Sequence, residues 1–180
     1  FDVTGNWAVC SPETMIDFSA VAYFFAREVQ KEINVPIGLI NASWGGTPAE
    51  VWLPEASLGS NRVLAEAATK IPEMGWSPRE AGRVYNAMIA PITSYKIAGV
   101  LWYQGETNVA NPETYHTIFA TLINSWRQEW GYTFPFYFAQ IAPFTYNESP
   151  TCGADIRNAQ RQTLSVANTG MVVTADITAD

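Results

Sequence analysis

Ile97-Ala98-Gly99-Val100-Leu101-Trp102-Tyr103-Gln104-Gly105-Glu106-Thr107-Asn108 is the stretch that decides the fold. Its first half is an apolar run bounded by polar residues, the pattern of a buried strand. Its second half, Gln104 to Asn108, is a polar turn. Pro112 follows and opens an amphipathic stretch in which Tyr115, Phe119, Leu122, Ile123 and Trp126 share one helical face. A strand, a polar turn and a helix in that order make one half of a βαβ unit, and Gly131 ends the helix.

The same grammar recurs along the chain. Ser19 precedes a helix that runs to about Ile33, with Asn34 at its end. Pro36-Ile37-Gly38-Leu39-Ile40 reads as a strand over 36–42 and leads into a second polar turn, Ser43-Trp44-Gly45-Gly46-Thr47. Residues 97–103, 134–141 and 171–176 read as further strands, with a helix over 154–168 before the last. Residues 53–82 carry one helical stretch, 61–71, broken by Pro72, Gly75 and Pro78; a further helix or helical turn follows over 79–95, interrupted at Pro91. Strands alternating with helices predict an α/β fold with a parallel sheet covered on both faces. The length of 180 residues suits one domain with a substantial core.

Composition narrows the function classes. Ten basic against 17 acidic residues leave a net charge of −7, which argues against nucleic acid or an anionic membrane surface as partner. No apolar run reaches membrane-spanning length. Cys10 and Cys152 lie far apart with no metal-ligand spacing, and two cysteines are too few for a disulfide framework; two unpaired thiols are the favoured reading. Asp2, Glu13 and Asp17 have no calcium-loop spacing. The seven Trp, eight Tyr and nine Phe serve either a core or a carbohydrate cleft. Trp126 and Trp130 sit one helical turn apart and read as core. Trp7, Trp44, Trp52, Trp76 and Trp102 are the cleft candidates, with packing beneath the turns as the alternative.

Both polar turns fall at strand carboxyl ends, where open α/β sheets bind ligands. Glycines in a tight turn expose backbone N–H groups, so Gly45 and Gly46 can face a developing oxyanion. The Gln104 amide is a further donor. Ionised Glu106 only accepts, and Asn108 can do either. Two tight strand-to-helix connections would look the same from residues alone.

GLINASWGGTPAEVW, YNAMIAPI, GVLWYQGETN and IRNAQRQ together resemble the sialate O-acetylesterase family within the SGNH hydrolase superfamily, as does FSAVAYFFARE. The likeness runs from about Trp7 to Asp176. It implies a flavodoxin-like three-layer α/β/α domain that hydrolyses O-acetyl esters of sialic acid or related sugars by a serine mechanism, without metal or organic cofactor. It assigns Gly46 and Gln104 to the oxyanion hole, Glu106 to a supporting carboxylate, and Gly45, Trp44, Asn108 and Arg157 to substrate binding. It also implies a secreted, periplasmic or lysosomal setting.

The departures from that pattern are specific. No GQSN-type nucleophile motif occurs; Ser11 and Ser43 stand in the wrong context. The family's base histidine follows the last strand in an Asp-x-x-His or Asp-x-His segment; Asp176 matches an aspartate before it, and the chain stops at Asp180. His116, the only histidine, reads as an ordinary helical residue. The nucleophile, the base and the serine-bearing first strand are therefore expected outside these residues, the domain being incomplete at both ends. That strand would lie between 36–42 and 97–103, supplied by further residues or by a second chain. A carbohydrate-binding protein without catalysis, or the structural subunit of a two-chain esterase, is the alternative.

Overall fold

Three short strands pair in the computed structural model, which describes residues 3–59, 61–71, 74–147 and 149–177; Asp2, Pro72 and Asp180 lie outside them. They are β1 (Val100–Trp102), β2 (Phe136–Ala139) and β3 (Thr169–Val172). The order is β1-β2-β3 and both pairings are parallel, with Val100 opposite Phe136 and Phe136 opposite Thr169. Parallel strands need long crossovers, and two helices supply them: α5 (Pro112–Trp130) and α6 (Cys152–Gln162).

Those helices begin and end where local chemistry says they should. Pro112 occupies the first turn of α5, and Gly131 ends it at φ 74°. The left-handed conformation costs glycine least. In α2 (Ala20–Ile33) the Ser19 hydroxyl accepts from the Ala22 N–H, and Asn34 closes the helix at φ 49°. The shorter helices are α1 (Pro12–Met15), α3 (Glu55–Gly59) and α4 (Arg62–Thr69). Residues 83–92 form irregular helical turns rather than one α-helix. No described helix is long and apolar enough to cross a membrane.

The core lies under one face of the sheet. Trp102, Phe136 and Phe138 point the same way and meet Phe119 of α5, whose ring centroid lies 5.8, 5.8 and 5.0 Å from theirs. Strands laid down in the order 1-2-3 through right-handed crossovers put both helices on that face. Tyr137, on the other face, is 46% exposed. α5 and α6 therefore share one side of the sheet.

A correction concerns residues 36–42. They form no strand. An apolar run becomes a strand only when another strand accepts its backbone hydrogen bonds, and that partner is not set by local sequence. The chain divides into two compact units, residues 1–43 and 44–180, and residues 36–42 belong to the first. Within that unit Trp7 lies against Gly38, where a Cβ would come within 3.3 Å of the indole. Both cysteines are free thiols, Cys10 exposed and Cys152 buried.

Candidate functional site

All three strands run parallel, so their carboxyl ends share one edge, and Gln104 stands just past β1 on that edge. Its amide is the hinge of the site. Nε2 donates to the Thr47 carbonyl at 3.1 Å and to Asn108 Oδ1 at 2.8 Å. The first bond joins the QGETN turn to the SWGGT turn, residues 57 positions apart in sequence. The two polar turns thus meet in space, as the sequence reading requires.

Behind Gln104 lies a buried polar network. The Asn108 Oδ1 also accepts from the Ala49 N–H at 2.9 Å. The Asn108 Nδ2 donates to Glu50 Oε2 at 2.9 Å, and Asn111 Nδ2 donates to Glu50 Oε1 at 2.8 Å. Glu50 and Asn108 are wholly buried. A buried carboxylate needs such donors, because its hydration is gone. Asn108, expected to meet substrate, is instead a structural bridge between the turns.

Gln104 is fixed from the other side as well. Tyr115 in α5 donates its hydroxyl proton to Gln104 O and Oε1, both at 3.0 Å. Burial drives the Tyr115 phenol far above its ordinary range, so it remains a neutral donor. Gln160 of α6 donates from Nε2 to Gln104 O at 3.0 Å and accepts from the Ile141 N–H at 3.0 Å. Gly105, at φ 155°, makes room for this: a Cβ there would lie 2.7 Å from Ile141 Cγ2 and 3.1 Å from Gln160 Nε2. Glu50, Tyr115 and Gln160 were missed as site residues by the sequence reading. Only the motif context of Glu50 and Gln160 pointed toward them; their burial is tertiary.

A carboxamide has two N–H protons, and both protons of Gln104 are spent on Thr47 and Asn108. In this arrangement it holds the turn and has no proton left for a substrate oxyanion, which corrects its expected role as a free donor.

The SWGGT turn is closed by the Thr47 hydroxyl, which donates to Trp44 O at 2.7 Å and accepts from Trp52 Nε1 at 2.9 Å. Gly46 sits at φ 70°, and its carbonyl accepts from the Ser77 hydroxyl at 3.2 Å. A Cβ on Gly46 would strike the Trp76 indole at 2.3 Å; at Gly45 nothing lies within 4 Å. Trp44 and Trp76 are 44% and 64% exposed, whereas Trp52 and Trp102 are packed edge to face in the core with centroids 5.9 Å apart. Trp126 and Trp130 are core residues too.

Glu106 is exposed at the start of a 3-10 helix, Glu106–Ala110. Burial, and then the Glu106 charge, raise the phenols of Tyr103 and Tyr146. Arg157 lies in α6 on the same edge, its carbonyl accepting from Gln140 Nε2 at 3.0 Å just past β2.

The alternative nucleophiles and base have other work. The Ser11 hydroxyl donates to Glu13 at 2.6 Å and caps α1. Ser43 Oγ donates to Asn41 Oδ1 at 2.9 Å. Thr163 Oγ1 donates to Ala159 O at 3.0 Å and lies 3.1 Å from His116 Nδ1, so the His116 ring is engaged between α5 and the end of α6. Asp176 lies in an exposed turn after β3. Among the described residues no three His, Cys, Asp or Glu side chains gather as a metal site would need.

Sialate O-acetylesterase of Homo sapiens is 38% identical over 111 residues, 61% of this chain and 21% of its own length. The Mus musculus enzyme of that name is 31% identical over 169 residues, 75% of this chain and 31% of its own. The chain therefore spans between about a fifth and a third of these relatives. The crystal structure of a carbohydrate acetylesterase from Xanthomonas citri superposes with a TM-score of 0.83 at 35% identity, covering 98% of this chain and 39% of that one. The sequence profile of the carbohydrate esterases described as sialic acid-specific acetylesterases matches residues 13–180, and the chain belongs to that family.

Proposed function

We propose that these residues form the oxyanion-binding part of a serine-dependent carbohydrate O-acetylesterase acting on acetylated sialic acid or related acetylated sugars. The observation that carries this reading is the Gln104 Nε2 bond to the Thr47 carbonyl at 3.1 Å, which locks the glycine turn to the carboxyl edge of the sheet. The backbone N–H of Gly46, aided by Gly45, is the oxyanion donor. Gln104 and Asn108 are positioning residues. Glu106 accepts from a sugar hydroxyl, and Trp44 and Arg157 line the substrate.

In this mechanism a serine oxygen attacks the acetyl carbon, and the carbonyl oxygen takes the negative charge toward the glycine turn. A histidine removes the serine proton and passes it to the leaving sugar oxygen; water then releases acetate. Ser11, Ser43 and His116 are engaged elsewhere, so the serine and histidine come from outside residues 1–180. The serine-bearing strand pairs with β1, an edge strand in this sheet, and completes a flavodoxin-like three-layer domain; it comes from the longer protein or a second chain. Such substrates suit a secreted, periplasmic or lysosomal protein.

The test is steady-state kinetics of the full-length protein on an acetylated sugar. Gln104→Ala frees the glycine turn and is expected to lower kcat on the order of 10²–10³, the range for a lost oxyanion donor, with KM little changed. A kcat within about twofold of wild type, in a folded variant, defeats the assignment.

A further inference from the structure

Trp76 is 64% exposed, yet one edge of its indole rests on the glycine turn. The ring fills the place where a Gly46 Cβ would stand: Cη2 and Cζ3 lie 2.3 and 2.8 Å from it. Gly46 holds φ 70°. Glycine populates both signs of φ about equally, so nothing within the residue keeps it there. The neighbouring side chain supplies a second hold, because the Ser77 hydroxyl donates to the Gly46 carbonyl at 3.2 Å. Two consecutive residues thus grip one glycine, the indole at its α-carbon and the hydroxyl at its carbonyl.

The loop that carries them is tied to itself. The Ser77 N–H donates to the Met74 carbonyl at 3.2 Å, and Arg79 Nη2 donates to the Met74 sulfur at 2.9 Å. Ser77 and Arg79 are buried, whereas Trp76 between the turn and solvent is not. A tryptophan that serves a core is mostly buried, as Trp52 and Trp102 are. Trp76 has an anchored base, an open outer face and one edge set against a glycine, which fits a task at that glycine.

We propose that Trp76 and Ser77 are positioning residues of the esterase site, which hold Gly46 in its left-handed conformation and so aim its N–H at the oxyanion. The proposal rests on the esterase reading. It divides the support of one turn between two elements: Gln104 holds Thr47 through its carbonyl at 3.1 Å, and residues 74–79 hold Gly46. An oxyanion donor is effective when it is aimed before the reaction starts. A glycine released from this grip has to be reordered in each turnover, which slows the chemical step without weakening substrate binding.

The test follows acetate release from a simple aryl acetate by the full-length protein, so that no sugar can touch the open face of the indole. Trp76→Ala is expected to lower kcat about tenfold with KM within about twofold of wild type, Trp76→Phe to recover part of the loss, and Ser77→Ala to lower kcat at least about threefold. A double-mutant cycle reads the contact itself. The indole blocks a Cβ on Gly46, so Gly46→Ala should lower kcat at least about tenfold more in the presence of Trp76 than in the Trp76→Ala background. A folded Trp76→Ala with wild-type kcat overturns the proposal, and so do effects that simply multiply in the cycle. A change in KM alone overturns it too, since the indole would then be a binding surface. Should Trp76→Ala not fold, Ser77→Ala decides by the same kcat criterion. If the wild type releases no acetate, the esterase reading fails and this role falls with it; failure of the grip alone leaves the wild type active.

Discussion

Replacing Glu50 by glutamine probes the polar network at its centre. The Glu50 carboxylate is fully buried and receives one amide donor on each oxygen, Asn108 Nδ2 at 2.9 Å and Asn111 Nδ2 at 2.8 Å. Glutamine is nearly isosteric, so packing is kept. Its NH₂ group must, however, face one of those two donors whichever way the amide is turned. One charge-assisted hydrogen bond is lost, worth roughly 1.5–3 kcal/mol, and two N–H groups confront each other without water. Relief from burying a charge offsets part of this. The expected net loss is about 2–4 kcal/mol. For a domain of this size each kcal/mol moves Tm by about 2–4 °C, so Glu50→Gln should melt roughly 4–16 °C below wild type. Thermal unfolding followed by near-ultraviolet circular dichroism reads the shift, since the Trp52–Trp102 pair lies in the same core. A fall of less than about 1 °C would mean that the network does not hold the turns, and the positional argument for Gln104 would go with it.

Tyr115→Phe leaves Gln104 Oε1 without its phenol donor and is expected to cost about 1–3 kcal/mol at neutral pH. Burial raises the Tyr115 phenol in the folded state, so its contribution is whole below the unfolded value near 10 and drains away as pH rises beyond it. Wild type should therefore lose stability more steeply than Tyr115→Phe above about pH 10, and equal slopes in alkaline denaturant titrations would contradict the burial. Gly105→Ala places a methyl 2.7 Å from Ile141 and displaces Gln160; a loss of about 1–3 kcal/mol by urea unfolding is expected, and a neutral result would refute that close approach. Residues 1–180 alone should release acetate negligibly from an activated ester, and turnover matching the full-length protein but abolished by His116→Ala would overturn the roles given to His116 and to an outside serine.

What was legible in the sequence was what local chemistry decides. Ser19, Asn34, Pro112 and Gly131 fixed the bounds of α2 and α5, because capping is a matter of a few adjacent residues. The strands Val100–Trp102 and Phe136–Ala139 fell inside the apolar runs, while Thr169–Val172 begins two residues ahead of the run expected over 171–176 and shares only its first two residues. Residues 36–42 failed as a strand because pairing depends on a partner elsewhere. The meeting of the two polar turns was expected from a shared place at strand ends, but only the Gln104 turn follows a strand, and it is the Gln104–Thr47 bond that joins them. The roles inside that meeting were not legible. Gln104 and Asn108 look like ligand-facing amides in sequence, and only the positions of Thr47, Glu50 and Tyr115 show that their protons are spent inside the protein. Gln160, in a helix with few apolar residues, reads as a solvated side chain until α6 is laid against the ends of β1 and β2.

The central claim is that the glycine turn at residues 44–47 receives the oxyanion while Gln104 holds it in place. A crystal structure of the full-length protein trapped with a methylphosphonate, a mimic of the tetrahedral intermediate, tests it most directly. The account predicts a phosphonyl oxygen about 2.7–3.1 Å from the Gly46 backbone nitrogen, the Gln104 amide still bonded to the Thr47 carbonyl. A phosphonyl oxygen seated away from that turn, or held by a Gln104 amide that has left Thr47, would contradict it.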